Sequence, residues 1–132
     1  MPKTLRVLLG EDDDMVADMY QVGLESLGWE VIRAENGNQV IRSASQDRPD
    51  VVLLDMHMPG VSGSVIVGAL MADRTSARIP VLLLTNEDDQ GEEVIKARAL
   101  GARAVLQKTE TTPRLLSEIL HRHLAEAGSK PS

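Results

Sequence analysis

Two uninterrupted aliphatic runs, Val51–Leu54 (VVLL) and Val81–Leu84 (VLLL), constrain this chain more than any other feature. A strand with one wet face alternates apolar with polar residues. A continuous apolar run requires cover on both faces, the condition met by the inner strands of a parallel sheet with helices on either side. Leu5–Leu9 (LRVLL) is a third run of this kind, and Trp29–Ala34 (WEVIRA) and Arg103–Gln107 (RAVLQ) read as two further strands. Between them, apolar residues recur at helical spacing. The first such set is Val16, Met19, Tyr20, Gly23, Leu24 and Leu27, before a stop signal at Gly28. The others are Val40, Ile41 and Ala44; Val65, Ile66, Ala69 and Leu70; Val94, Ile95, Arg98 and Ala99, closing near Gly101; and Leu115, Leu116, Ile119, Leu120 and Leu124.

Strands alternating with helices predict an α/β fold: a doubly wound, five-stranded parallel sheet with helices on both faces. Arg33 in the second strand, and Arg103 and Gln107 in the fifth, mark these two as edges. With right-handed crossovers the order is 2-1-3-4-5, the flavodoxin-like arrangement. The chain of 132 residues suits one domain over 1–126, and the small, polar AGSKPS of 127–132 reads as a flexible tail or the start of a linker.

In such a sheet, ligands bind beyond the carboxyl ends of the strands, where neighbouring connections leave in opposite directions. Reading off those ends gives Glu11, Asp12, Asp13 and Asp14 after the first strand, Asp55 after the third, Thr85 and Asn86 after the fourth, and Lys108 after the fifth. Asp13 and Asp14 are best explained as helix caps. The others have bland readings one at a time, as turn residues or solvated charges, but those readings do not explain why every central strand ends in a functional group on one edge. An all-oxygen set of Glu11, Asp12 and Asp55 suits a hard cation that keeps its waters, Mg²⁺ rather than zinc. An EF-hand does not fit, because Ala17 stands where its loop needs glycine. With the carboxylates neutralised, Asp55 becomes a nucleophile toward a phosphoryl group, and Thr85 and Lys108 are placed to hold the transferred oxygens. His57 is assigned no side-chain chemistry, and His121 and His123, two apart on a helix, make a poor metal pair.

Composition excludes several other classes. A net charge of −6 without a Lys/Arg block argues against direct nucleic-acid binding. The absence of cysteine removes disulfides, thiolate zinc sites and thiol nucleophiles. No apolar run is long enough for a membrane span, and a cytoplasmic location is expected.

From Leu5 to about Ala125 the chain resembles the receiver domain of two-component response regulators, the CheY-like family. The likeness rests on Glu11-Asp12, on Asp55 within LLDMHMPGVSG, on VLLLT ending at Thr85 and on VLQK ending at Lys108. The resemblance implies that Asp55 is the phosphoacceptor and that Glu11, Asp12, Asp55 and the main-chain carbonyl of His57 bind Mg²⁺. It further implies that Thr85 and Lys108 engage the phosphoryl group, and that Pro59 and Gly63 shape the turn after the acceptor. Three positions depart from the family pattern. Thr109 follows Lys108 where many receivers have a cis proline, Val105 replaces the usual aromatic switch residue, and Asn86 is bulkier than the common Ala or Gly.

The expected function is therefore a signalling phosphoacceptor, not an enzyme acting on other substrates. It would be charged by a histidine kinase or phosphotransfer protein, and would switch a surface that binds a downstream protein or a second copy of itself. Two alternatives stand beside it: a binding module that keeps the fold but is not phosphorylated, and a Mg²⁺-dependent aspartyl phosphohydrolase. Against the second, haloacid-dehalogenase-type enzymes carry an acid two residues past the nucleophile, where this chain has His57.

Overall fold

The computed structural model describes residues 3–86 and 91–129, with side chains described through Ala125. Five strands alternate with five α-helices: β1 (Arg6–Gly10), α1 (Asp14–Ser26), β2 (Glu30–Ala34), α2 (Gly37–Asp47), β3 (Val51–Asp55), α3 (Gly63–Ala72), β4 (Val81–Thr85), α4 (Glu92–Leu100), β5 (Ala104–Gln107) and α5 (Pro113–Ser129). A 3₁₀ turn, Lys108–Glu110, joins β5 to α5. All strand pairs are parallel and the order is β2-β1-β3-β4-β5, as the apolar runs predict. Every residue of β3 and β4 is buried, whereas β2 and β5 are mostly half-buried. The charged residues in the second and fifth runs therefore mark the edges correctly.

The period-two geometry of a strand sends alternate side chains to opposite faces, and two separate cores result. Leu8, Val52, Leu54, Val81 and Leu83 face α2, α3 and α4, against Val40, Ala44, Ile66, Leu70, Val94 and Ala97. Val7, Leu9, Val51, Leu53, Leu82 and Leu84 face α1 and α5, against Ala17, Tyr20, Leu24, Leu116 and Leu120. With aromatics at 2% of the chain, both cores are almost wholly aliphatic. Trp29 and Tyr20 are the aromatic members of the second, and each has a polar partner for its buried tip: Trp29 Nε1 donates to Ser117 Oγ (2.9 Å), and Tyr20 O–H donates to the Thr111 carbonyl (3.1 Å).

The boundaries differ from the sequence reading in one informative way. Gly10, Asp55 and Thr85, expected just past their strands, remain in the ladder, in the registers Gly10↔Leu54, Asp55↔Leu84 and Thr85↔Gln107. The site residues of β3 and β4 are therefore held by sheet backbone rather than by loops. At the other end, α5 continues to Ser129 and so enters the stretch read as a tail. Several apolar residues counted toward helix faces, Met19, Val65, Ile95 and Leu115, lie exposed. Helical spacing identified the helices but included positions flanking the buried stripe.

Candidate functional site

The carboxyl edge of the sheet brings Glu11, Asp12, Asp55, Thr85 and Lys108 together from four segments, as the topology requires. Glu11 follows β1 directly, and its backbone N–H donates to the Ala34 carbonyl (3.0 Å), which extends the β1–β2 pairing by one residue. This carries its side chain inward, to 0% exposure. Asp12 is exposed. Asp13, next in line, caps α1: its Oδ1 accepts from the N–H groups of Met15 (3.0 Å) and Val16 (3.3 Å). Asp14 pairs outward with Arg33. Of the four consecutive acids, Glu11 and Asp12 lie in the acidic cluster and Asp13 caps the helix, whereas Asp14, read from the sequence as a second cap, stands inside the first turn of α1 and pairs with Arg33.

Asp55 is 2% exposed and both its oxygens are engaged. Oδ1 accepts from the His57 backbone N–H (3.0 Å), and Oδ2 lies 3.1 Å from Lys108 Nζ. The same ammonium is 2.7 Å from Glu11 Oε1, and the lysine side chain is only 12% exposed. Glu11 Oε2 accepts from the Asp13 N–H (3.2 Å), whereas Oε1 is held by the ion pair to Lys108. Lys108 thereby bridges two buried carboxylates, a geometry in which loss of the cation leaves uncompensated charge.

The electrostatics follow from this crowding. Burial, together with the neighbouring Asp55 carboxylate, pushes the Glu11 carboxyl up to about 7 against the opposing pull of Lys108. For Lys108, burial acts downward, but pairing with Glu11 and Asp55 outweighs it and holds the ammonium above its ordinary value. Carboxylate oxygens of Glu11, Asp12 and Asp55 lie within 4.8 Å of one another. An all-oxygen donor set of two buried carboxylates and one exposed one fits a hard cation that keeps part of its water shell.

Thr85 ends β4 at 1% exposure, and Asn86 after it is exposed. The His57 ring reaches back over this point, with Nε2 3.4 Å from Thr85 Oγ1. A side chain that sequence reasoning left idle therefore meets the hydroxyl. Met56, His57 and Thr85, with Gly91–Val94 at the start of α4, line a cavity of about 250 Å³. Gly63, at the first turn of α3, packs against Met56: a Cβ there would lie 2.6 Å from Met56 Cε and Sδ, so a larger residue would push the tip of the Met56 side chain aside. The Thr109 departure has a structural outcome too. Among the described residues no peptide is cis, and Lys108–Glu110 is a 3₁₀ turn closed by Thr111 Oγ1 donating to the Gln107 carbonyl (2.7 Å).

The family model for the response regulator receiver domain matches residues 7–120. The chain belongs to this family. It is 38% identical over 109 residues to the protein PilH of Pseudomonas aeruginosa, an alignment covering 81% of this chain and 89% of PilH. Among solved structures it superposes on a CheY-like receiver domain from Methanospirillum hungatei with a TM-score of 0.88 at 22% identity, covering 98% and 100% of the two chains. The receiver domain of the sensor histidine kinase PA1611 of Pseudomonas aeruginosa, solved with magnesium coordinated in its active-site cleft, matches with a TM-score of 0.83 at 26% identity, over 93% of this chain and 99% of that one. This receiver domain is accordingly a signalling protein of the two-component class, not a metabolic enzyme. Among its described residues no helix is long and apolar enough to cross a membrane.

Two features of the receiver's site were not evident from its motifs. Tyr20 reads in the sequence as one more position at helical spacing, although a buried phenol needs a partner and this is the only tyrosine in the chain. The second is a link between helices: Ser64 donates through N (3.3 Å) and Oγ (2.8 Å) to Glu93 Oε1, joining the start of α3 to the first turn of α4. No sequence signal couples residues so far apart.

Proposed function

We propose that this receiver accepts a phosphoryl group at Asp55 from a histidine kinase or a histidine phosphotransfer protein. One observation carries the reading: a single buried ammonium, Lys108 Nζ, sits between the carboxylates of Asp55 and Glu11 in an acidic cluster. In the transfer, the donor's P–N bond breaks as a P–O bond to an Asp55 carboxylate oxygen forms, and the freed imidazole retains the electron pair. Glu11, Asp12, Asp55 and the His57 carbonyl would hold Mg²⁺, as the oxygen donor set suits and as magnesium is held in the cleft of the PA1611 receiver. The ion, when bound, supplies charge neutralisation for the crowded carboxylates and the incoming phosphoryl oxygens.

The protein's own groups do the positioning. The His57 N–H orients the acceptor through Oδ1, and Lys108 follows the charge when Asp55 becomes a phosphoaspartate. Thr85, at the end of a buried strand, turns its hydroxyl from His57 toward the new oxygens. Because the Ser64–Glu93 contact ties the start of α3 to α4, a rearrangement passed to α3 biases the surface built by α4, β5 and α5 without the aromatic that Val105 replaces. That surface would then bind a downstream protein or a second copy of the chain. A cytoplasmic location, shared with its donor, belongs to this reading.

Incubation with acetyl phosphate and Mg²⁺, followed by intact-mass measurement, tests the reading. The wild type gains one phosphoryl group, and an Asp55→Asn variant gains none. A folded wild type that takes up nothing in excess Mg²⁺ would sink the proposal and leave a binding module on a receiver fold. Multiple turnover of a small phosphoester would instead reveal a phosphohydrolase.

A further inference from the structure

We infer that Tyr20 and Thr111 are positioning residues for Lys108: a hydrogen-bonded strut from α1 that sets where the lysine stands between Glu11 and Asp55. The inference rests on the phosphoacceptor reading above and extends it to residues outside the acidic pocket.

Lys108 lies in a 3₁₀ turn, a short and weakly held element whose hydrogen-bond geometry is poorer than that of an α-helix. The chain places no proline after it to restrict the turn. Two hydrogen bonds hold it instead. Thr111 Oγ1 donates to the carbonyl of Gln107, directly before Lys108 (2.7 Å), and Tyr20 O–H donates to the carbonyl of Thr111, directly after the turn (3.1 Å). Both residues are buried, so neither bond competes freely with water. Tyr20 is fully buried on α1, the helix that Asp13 caps only two residues after Glu11. The helix that begins at the acidic cluster therefore also grips the turn that presents the ammonium.

A separate observation shows how closely α1 is seated there. A Cβ built on Gly23 would lie 2.4 Å from Pro113 Cβ, so α1 touches the first residue of α5 at a distance only glycine permits. Tyr20 and Gly23 sit one turn apart on α1 and brace the segment from Gln107 to Pro113. The phenol also lies within electrostatic range of both site charges: burial raises its pKa most, Lys108 opposes this, and Glu11 adds to it.

The test measures initial rates of phosphoryl uptake from acetyl phosphate and Mg²⁺ by intact mass in wild type, Tyr20→Phe, Lys108→Met and the double variant, each checked for folding by circular dichroism. Tyr20→Phe slows uptake about tenfold, the scale of one buried hydrogen bond, and causes no further slowing in the Lys108→Met background. Equal slowing in both backgrounds, or none in the first, would overturn the strut. Thr111→Val removes the other bond with little change in shape and gives the same pattern if the inference holds. Hydrogen exchange gives a readout independent of transfer: Tyr20→Phe speeds the Thr109–Thr111 amides about tenfold and leaves those of β3 unchanged, and unaltered exchange would refute the inference. Wild type that fails to take up phosphoryl, with exchange responding as expected, would instead count against the phosphoacceptor reading alone.

Discussion

Glu11 offers the sharpest test of the site's electrostatics. Its carboxyl is fully buried beside Asp55, and its pKa rises from 4.5 to about 7 in the metal-free protein. Between these values the unfolded chain has released the proton while the folded chain still holds it, so the folded state binds more protons. Stability from this group is therefore intact below about pH 4.5, falls as pH rises, and is lost once pH passes about 7. The interval corresponds to about 3 kcal/mol, at roughly 1.4 kcal/mol per pH unit. A Glu11→Gln variant cannot titrate and lacks this component. Urea unfolding in EDTA, followed by fluorescence of the only tryptophan at pH 4.5, 6 and 8, measures it. The wild type loses about 3 kcal/mol more than Glu11→Gln across the range. Mg²⁺ at about a hundred times its dissociation constant restores up to about 2.7 kcal/mol to the wild type at pH 8. Parallel pH profiles for the two proteins would show that Glu11 ionises normally, and would refute the account of a crowded, desolvated carboxylate.

Three further outcomes follow from particular contacts. Gly23→Ala drives a methyl into Pro113 and costs about 1–3 kcal/mol, read as a lower urea midpoint at unchanged slope. Ser117→Ala removes the acceptor of the buried Trp29 N–H and costs about 1–3 kcal/mol in the same assay; an unchanged midpoint would mean the indole finds another partner. His57→Ala retains single phosphoryl uptake by intact mass, because the backbone N–H that orients Asp55 survives while only the ring contact to Thr85 is lost. Loss of Mg²⁺ binding in a folded His57→Ala protein would show that the side chain, rather than the backbone, serves the site.

Much of this was legible before any coordinates. The fully apolar runs at Val51–Leu54 and Val81–Leu84 demand cover on both faces, and Arg33, Arg103 and Gln107 are incompatible with it, so periodicity and charge determined the sheet, its order and its edges. Once the order is known, the residues at the strand ends converge by topology, and Glu11, Asp12, Asp55, Thr85 and Lys108 follow as a group. The tertiary structure decided what depends on distance and direction. It seated Lys108 on Glu11 as well as Asp55, raised the Glu11 pKa by burial, turned the His57 ring to Thr85, joined Ser64 to Glu93 and gave the turn at Thr109 a strut from Tyr20. The physical reason is range: burial patterns repeat every two or nearly four residues and are written locally, whereas a hydrogen bond between residues ninety-one apart exists only after two elements have packed.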